Sequence, residues 1–308
     1  MKDIYELSDL EVSTPVDTSE NNILIVDALN LCFRWRVLFD SIDPETESVG
    51  YAEKFAETVK SLQKSYKAKK AIIACDRGKS TFRKKIYPEY KASRERDREF
   101  ASDTDKARMK AFLDEYIATV EYCRAIPNFH VVVEKGVEAD DIAAMFTNEY
   151  YEEFDNIWMI SGDKDWDLLV RPNVHKFNFA TKANWKNADK TGPRPKEVTV
   201  DNWFEHHLCT EEQYLGLRML EGDKSDNIPG VKGIGEKRAL KFMHDYGSID
   251  NLISSLPLNG KAQYIQALNE AKDDLKVYKK LMDLNNYEEH ITEEEKASIR
   301  EQISSIYQ

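Results

Sequence analysis

Nine acidic residues in this sequence stand at positions where carboxylates can do chemistry. Three short apolar runs end on aspartate: LIVD at Asp27, IIACD at Asp76 and MISGD at Asp163, with Asp165 two residues on. A fourth run, VVVEKG, leads into Glu138, Asp140 and Asp141, and the segment LEGDKSDNIPG adds Asp223 and Asp226. One Asp after a strand is ordinarily a turn residue or a helix N-cap, Asp140 and Asp141 would by themselves suit a helix dipole, and D-x-x-D before Pro and Gly is turn chemistry. Four runs closing the same way exceed what capping explains. Carboxylates gathered this closely raise one another's proton affinity and strain the fold unless cations are supplied. An all-oxygen ligand set selects hard divalent ions, so Mg²⁺, with Mn²⁺ able to substitute, is expected rather than zinc.

Two further segments suit phosphate. GVKGIGEKRAL places Gly230, Gly233 and Gly235 just before a helical pattern, exposing backbone N–H groups at a helix N-terminus. Lys232, Lys237 and Arg238 add charge there. Between Arg77 and Arg98 stand nine basic residues, among them Lys79, Arg83, Lys84, Lys91 and Arg94, against three acidic ones, a local +6. The net charge of −12 at first opposes nucleic-acid binding, but without the nine carboxylates it would be −3. Charge this segregated implies a basic surface that meets a phosphate backbone without reading its sequence.

The elements that must position these groups follow from periodicity. Apolar runs at 23–26, 71–74, 130–133 and 157–160 read as strands buried on both faces. Helical spacing covers 52–66, 103–123 and 142–150 between them. Alternating strands and helices predict an α/β fold with a mostly parallel central sheet and helices on both faces. Active sites in such sheets lie at the carboxyl ends of the strands, so seven of the carboxylates fall along one sheet edge. From 200 onward only helices are expected, at 211–220, 236–245, 261–280 and 293–306, the last with Thr292 and Glu295 at capping-box spacing. The chain thus divides into a flexible, acidic arm (1–21), an α/β core (22–199) and a helical region (200–308), with a surface loop at 191–195 near the junction. Cys32, Cys75, Cys123 and Cys209 form no C-x-x-C pair and suit small buried hydrophobes in a reducing cytoplasm. No run is long enough to span a membrane.

Five blocks carry a family likeness: LIVDALN, CDRGKSTFRKKIYPEYKASR, GVEADD, ISGDKDWDLL and LEGDKSDNIPGVKGIGEKRA. Together, and in this order, they resemble the 5′-nuclease superfamily of flap endonucleases and 5′-3′ exonucleases, above all the free-standing bacteriophage type. The resemblance implies a PIN-like core, a helical arch over about 77–125, and a helix–three-turn–helix motif over about 211–250. It implies two metal groups, Asp27, Asp76, Glu138 and Asp140 with Asp141 beside them, then Asp163, Asp165, Asp223 and Asp226. Lys91 and Arg94 match residues that steer the scissile phosphate. Tyr90, with Phe82 and Tyr87 as further candidates, would stack on unpaired bases. Backbone carbonyls of Val231 and Ile234 match positions that hold K⁺. Ala28 departs from the glycine that many relatives carry, without touching the ligand set.

The function so implied is structure-specific, two-metal-ion hydrolysis of DNA at 5′ flaps and 5′ ends, leaving 5′-phosphate and 3′-hydroxyl products. Its setting would be phage or bacterial replication or repair, including RNA primer–DNA hybrids, performed by a monomer in the host cytoplasm. Two alternatives are a PIN-like ribonuclease, which would not need the glycine-rich motif, and a non-catalytic structure-specific DNA-binding protein, which would not need all nine carboxylates. A haloacid-dehalogenase-like phosphohydrolase is disfavoured because Ala28 and Leu29 follow Asp27 where that chemistry wants a second Asp.

Overall fold

The computed structural model describes residues 21–36, 50–179 and 196–307. The arm expected at 1–21 lies outside the described residues except for Asn21, as does the loop expected at 191–195. Among the described residues six strands form one sheet in the order β3-β2-β1-β4-β5-β6. β1 (Asn22–Asp27), β2 (Ala68–Arg77), β3 (Phe129–Lys135), β4 (Asn156–Ile160) and β5 (Val174–Phe177) run parallel, and β6 (Glu197–Val198) is antiparallel to β5. The chain steps outward from β1 to β3 on one side, then returns to lay β4 on the other. β1 and β4 therefore flank the point where strand order reverses, the usual place for a site in an open parallel sheet. Asp27 and Asp163 sit beside it.

All six residues of β1 are buried, which is why its sequence is an unbroken apolar run rather than an alternating one. Leu24 and Val26 point into a core with Phe55, Val59 and Leu62 of α2 (Tyr51–Ser65) and Phe112 of α5 (Asp103–Arg124). Ile23 and Ile25 point the other way, toward Ile142, Met145 and Phe146 of α6 (Ala139–Glu149). This second core continues without a gap into Leu217 and Leu220 of α8 (Glu211–Glu221), Leu275 of α12 (Lys272–Met282) and Ile299 of α14 (Glu293–Ser304). The helical region is thus packed onto one face of the sheet and shares its hydrophobic core. Among the described residues no helix is long and apolar enough to cross a membrane.

Two differences from the sequence reading are structural. The helix expected at 261–280 is two, α11 (Gln263–Glu270) and α12, with Ala271 leaving helical geometry between them (ψ 4°). Asn269 there pairs with both the N–H and the C=O of Leu258, and Lys272 reaches the Leu256 carbonyl. These long-range bonds outweigh the local periodicity. β5 and β6 carried no clear strand pattern, because four and two residues are too few to show one.

Candidate active site

The site is assembled from the C-terminal ends of the strands. Asp27 closes β1 and caps α1 (Ala28–Phe33), accepting from the Asn30 N–H at 3.1 Å and from Ser161 Oγ at 2.9 Å. Asp76, near the end of β2, accepts from the N–H of Ala139 at 2.8 Å, which ties it to the start of α6. Glu138 is the N-cap residue of α6, and Asp140 lies in its first turn. Asp163 follows β4 and accepts from the N–H of Asp165, where a 3-10 turn (Asp165–Leu169) begins. Trp166, fully buried in that turn, donates its indole N–H to Asp140 Oδ1 at 2.6 Å. The turn that follows α8 supplies Asp223 and Asp226. Arg218 Nη2 sits 2.7 Å from Asp165 and contacts Asp223, so one buried guanidinium serves two carboxylates.

Cations from the arch meet this cluster. Lys91 Nζ lies 2.8 Å from Glu138 and 3.9 Å from Asp226, and Arg94 Nη2 lies 3.0 Å from Asp226. Their position is set by backbone: Lys91 takes the left-handed conformation (φ 55°) and donates its N–H to the Asp226 carbonyl, while Arg94 Nε reaches Ser225 O. Asn227 Nδ2 returns a bond to Glu89 O. The base of the arch is thus stitched to the turn carrying Asp226. α4 (Ala92–Phe100) then rises with no buried residue. A groove of about 890 Å³ is lined by Asp76, Asp140 and Asp163 together with Arg98 of α4 and Lys106 and Ile117 of α5.

The electrostatics match a site built for added cations. Asp27 is pushed up to about 8 by burial and by the neighbouring charges of Asp76 and Asp163. Burial and Asp163 push Asp165 up to about 7. Asp76 is raised by burial and Glu138, and Asp140 by burial, Asp163 and Asp27. Glu138 moves the other way: burial acts upward, but the charges of Lys91 and Arg83 outweigh it. Among the described residues no three His, Cys, Asp or Glu side chains close round a single point. Lys91, Arg94 and Arg218 engage several of the carboxylates instead. The donors are nonetheless all oxygen and carry uncompensated negative charge, so they fit hard divalent cations.

This yields a pH prediction with a defined sign. A carboxyl whose affinity for protons is raised on folding makes the folded state bind more protons than the unfolded one. Its stabilising contribution is full below its ordinary value near 4 and is lost as pH rises through its folded value. With Asp165 near 7 and Asp27 near 8, the melting temperature in EDTA is expected to fall between about pH 6.5 and 8. Saturating Mg²⁺ should flatten that fall and release protons on binding. Equal pH slopes with and without Mg²⁺, or no proton release in a weakly buffered titration, would contradict this assignment.

Several residues expected to face metal or DNA are engaged by the protein itself. Arg83 is 2% exposed; its guanidinium grips both oxygens of Asp141 at 2.6 and 2.8 Å, and Nε donates to Leu281 O. Asp141 is consequently removed from the ligand set, held also by His290 at 3.0 Å and kept well below the usual carboxylate range because Arg83 outweighs the effect of burial. Tyr90 is likewise 2% exposed, with its hydroxyl 2.9 Å from Glu138 and 3.0 Å from Asp226, and cannot stack on a base. Phe82 packs on His290 and Tyr87 on Tyr278. Lys79 and Lys84 both pair with Glu95 of α4 at the arch surface. Arg218, Trp166 and Ser161 also join the site; for Arg218 and Ser161 the sequence hint is a polar group inside an apolar run, and for Trp166 a lone aromatic between aspartates.

The glycine-rich segment forms an exposed turn before α9 (Glu236–Tyr246). Lys232, Gly233, Gly235, Lys237 and Arg238 are all exposed, and Arg238 lies over the Tyr264 ring at 4.5 Å while bonding Gly233 O. Val231 and Ile234 bury their side chains. The turn is anchored where Gly222 and Gly230 press backbone on backbone: a Cβ on Gly222 would lie 2.4 Å from Gly230 N, and φ is +78° and +65° at the two residues. Gly222→Ala should therefore destabilise the fold by roughly 1–3 kcal/mol through strain alone. A melting temperature equal to that of the parent would show the approach to be less tight than described.

Comparison with known proteins agrees with this architecture. The family model described as 5′-3′ exonuclease, N-terminal resolvase-like domain, matches residues 22–198, and that described as 5′-3′ exonuclease, C-terminal SAM fold, matches 209–303. The chain is 34% identical over 271 residues to the flap endonuclease of Escherichia phage T5, covering 87% of this chain and 85% of that one. It is 29% identical to a 5′-3′ exonuclease of Buchnera aphidicola, covering 83% of each. It matches thermostable DNA polymerase I of Thermus caldophilus at 27% identity, spanning only 27% of that longer protein. Among solved structures, the bacteriophage T5 flap endonuclease in a pseudo-enzyme–product complex with DNA and metal ions superposes with a TM-score of 0.80 at 31% identity, covering 93% of this chain and 100% of that one. The T5 5′-exonuclease with divalent zinc bound gives 0.80 at 33%, covering 93% and 98%. With both family models matched in order and nearly the whole fold shared, this chain belongs to the 5′-3′ exonuclease and flap endonuclease family.

Proposed function

We propose that this protein hydrolyses DNA phosphodiester bonds at 5′ flaps and 5′ ends of branched, nicked or gapped duplexes, using Mg²⁺, with Mn²⁺ able to substitute. The observation that carries this reading is the meeting of Lys91 and Arg94, at the foot of the arch, with carboxylates gathered from the strand ends. Asp27, Asp76, Glu138 and Asp140 would hold one ion; Asp163, Asp165, Asp223 and Asp226 would hold the second. Bound there, the pair would supply Lewis acidity, activating water and stabilising the leaving 3′-oxygen.

The chain's own residues do the rest. Lys91 and Arg94 meet the non-bridging oxygens of the scissile phosphate and stabilise the charge that develops on them. The groove under α4 and α5 takes the unpaired strand, with Arg98 and Lys106 along its phosphates. The turn before α9 grips duplex backbone through Gly233 and Gly235 N–H groups and through Lys237 and Arg238, with a K⁺ on the carbonyls of Val231 and Ile234. Such contacts are independent of sequence, so specificity comes from the junction between single and double strand. The role that fits is removal of flaps or primers, RNA–DNA hybrids included, during phage or bacterial DNA replication or repair, by a monomer in the cytoplasm.

A 5′-flap duplex labelled at its flap tests the reading. Incubation with Mg²⁺ should release the flap, leaving 5′-phosphate and 3′-hydroxyl ends, and EDTA should stop it. An intact flap at saturating Mg²⁺, or cleavage indifferent to EDTA, would overturn it.

A further inference from the structure

We infer that Trp166 is a positioning residue for the metal-binding carboxylates: its indole N–H fixes Asp140 and locks the two halves of the acidic cluster together. The inference rests on the functional reading above. Asp140 belongs to the first turn of α6, whereas Trp166 belongs to the 3-10 turn that begins at Asp165. The 2.6 Å bond from Nε1 to Asp140 Oδ1 therefore spans the two groups of carboxylates from one rigid element to the other.

The ring has no freedom of its own. Trp166 is fully buried in the core beneath α6, among the largest side chains so enclosed. An indole N–H can only donate, so it turns one carboxylate oxygen inward and leaves the other for a cation. Lys176, also fully buried, donates to the Asp163 carbonyl and pairs with Asp167, so the segment on either side of Trp166 is pinned as well. Loss of an outer-shell hydrogen bond to a metal ligand typically weakens metal binding by about 10- to 100-fold.

The test is Mn²⁺ binding in the absence of DNA, measured by calorimetry on the full-length protein. Trp166→Phe removes the donor but also some packing. A second variant carrying benzothienylalanine at position 166 keeps the bicyclic shape and removes only the donor. Both are expected to bind Mn²⁺ about 10- to 100-fold more weakly. In an Asp140→Ala background, which has no acceptor for the indole N–H, the benzothienyl replacement should add little further weakening. Affinity within twofold of the parent for the benzothienyl variant, or an undiminished effect in the Asp140→Ala background, overturns the inference while leaving the nuclease reading intact. A parent protein that binds no Mn²⁺ overturns both.

Discussion

Asp27→Asn is expected to slow flap cleavage by about a thousandfold or more and, at the same time, to raise the melting temperature of the EDTA-treated protein at pH 8. The first effect follows from removing a carboxylate proposed to hold a metal ion at the strand-order reversal, where such an ion would contribute several kcal/mol to charge stabilisation and about 1.4 kcal/mol is a factor of ten in rate. The second follows from the raised proton affinity of Asp27, which burial, Asp76 and Asp163 push up to about 8. At pH 8 folding works against ionisation of this group, and a neutral amide removes that conflict. The amide oxygen can still accept from the Asn30 N–H and so keep the cap on α1. Each kcal/mol recovered is worth roughly 2–4 °C for a protein of this size. Near-normal cleavage, or a lower melting temperature in EDTA, would show that Asp27 serves as a helix cap alone.

Lys91→Ala is expected to lower kcat by about 10²–10³, the range found when one preorganised donor is taken from a developing oxyanion. DNA affinity measured without divalent ions should change only a few-fold, because many phosphate contacts elsewhere share the binding. Backbone geometry requires a control. Lys91 has φ 55°, where alanine is strained and asparagine is tolerated. Lys91→Asn should therefore lose as much activity as Lys91→Ala while melting closer to the parent. Should Lys91→Asn restore cleavage, the loss in Lys91→Ala came from the backbone of the arch and not from the missing ammonium group.

The sequence made the sheet legible because its strands are buried on both faces: LIVD and IIACD can hardly be anything else. The carboxylates were equally plain, since strand ends in a parallel sheet share one edge whatever the details between them. Burial within the basic segment was hidden. Arg83 lies among exposed cations, and its partners Asp141, Leu281 and His290 are distant in sequence. Nothing local distinguishes it from Lys84 next to it. The burial of Tyr90 is hidden for the same reason: an aromatic residue in a basic segment resembles a stacking platform, whereas Glu138 and Asp226 hold its hydroxyl in the fold. Asp141 shares the helix start with Asp140, yet a rotation of one residue turns it from the pocket into the core. Arg218 lies in an apolar stretch where periodicity reports only packing, and Trp166 is a lone aromatic between two aspartates, so their contacts with Asp165 and Asp140 appear only in three dimensions.

The central claim, that carboxylates scattered over two hundred residues of chain form one divalent-metal site, is tested most directly by anomalous diffraction from crystals soaked in Mn²⁺. Two peaks are predicted, one among Asp27, Asp76, Glu138 and Asp140 and one toward Asp163, Asp165, Asp223 and Asp226, with none at Asp141. Absence of anomalous density among these side chains at saturating Mn²⁺ would contradict the account.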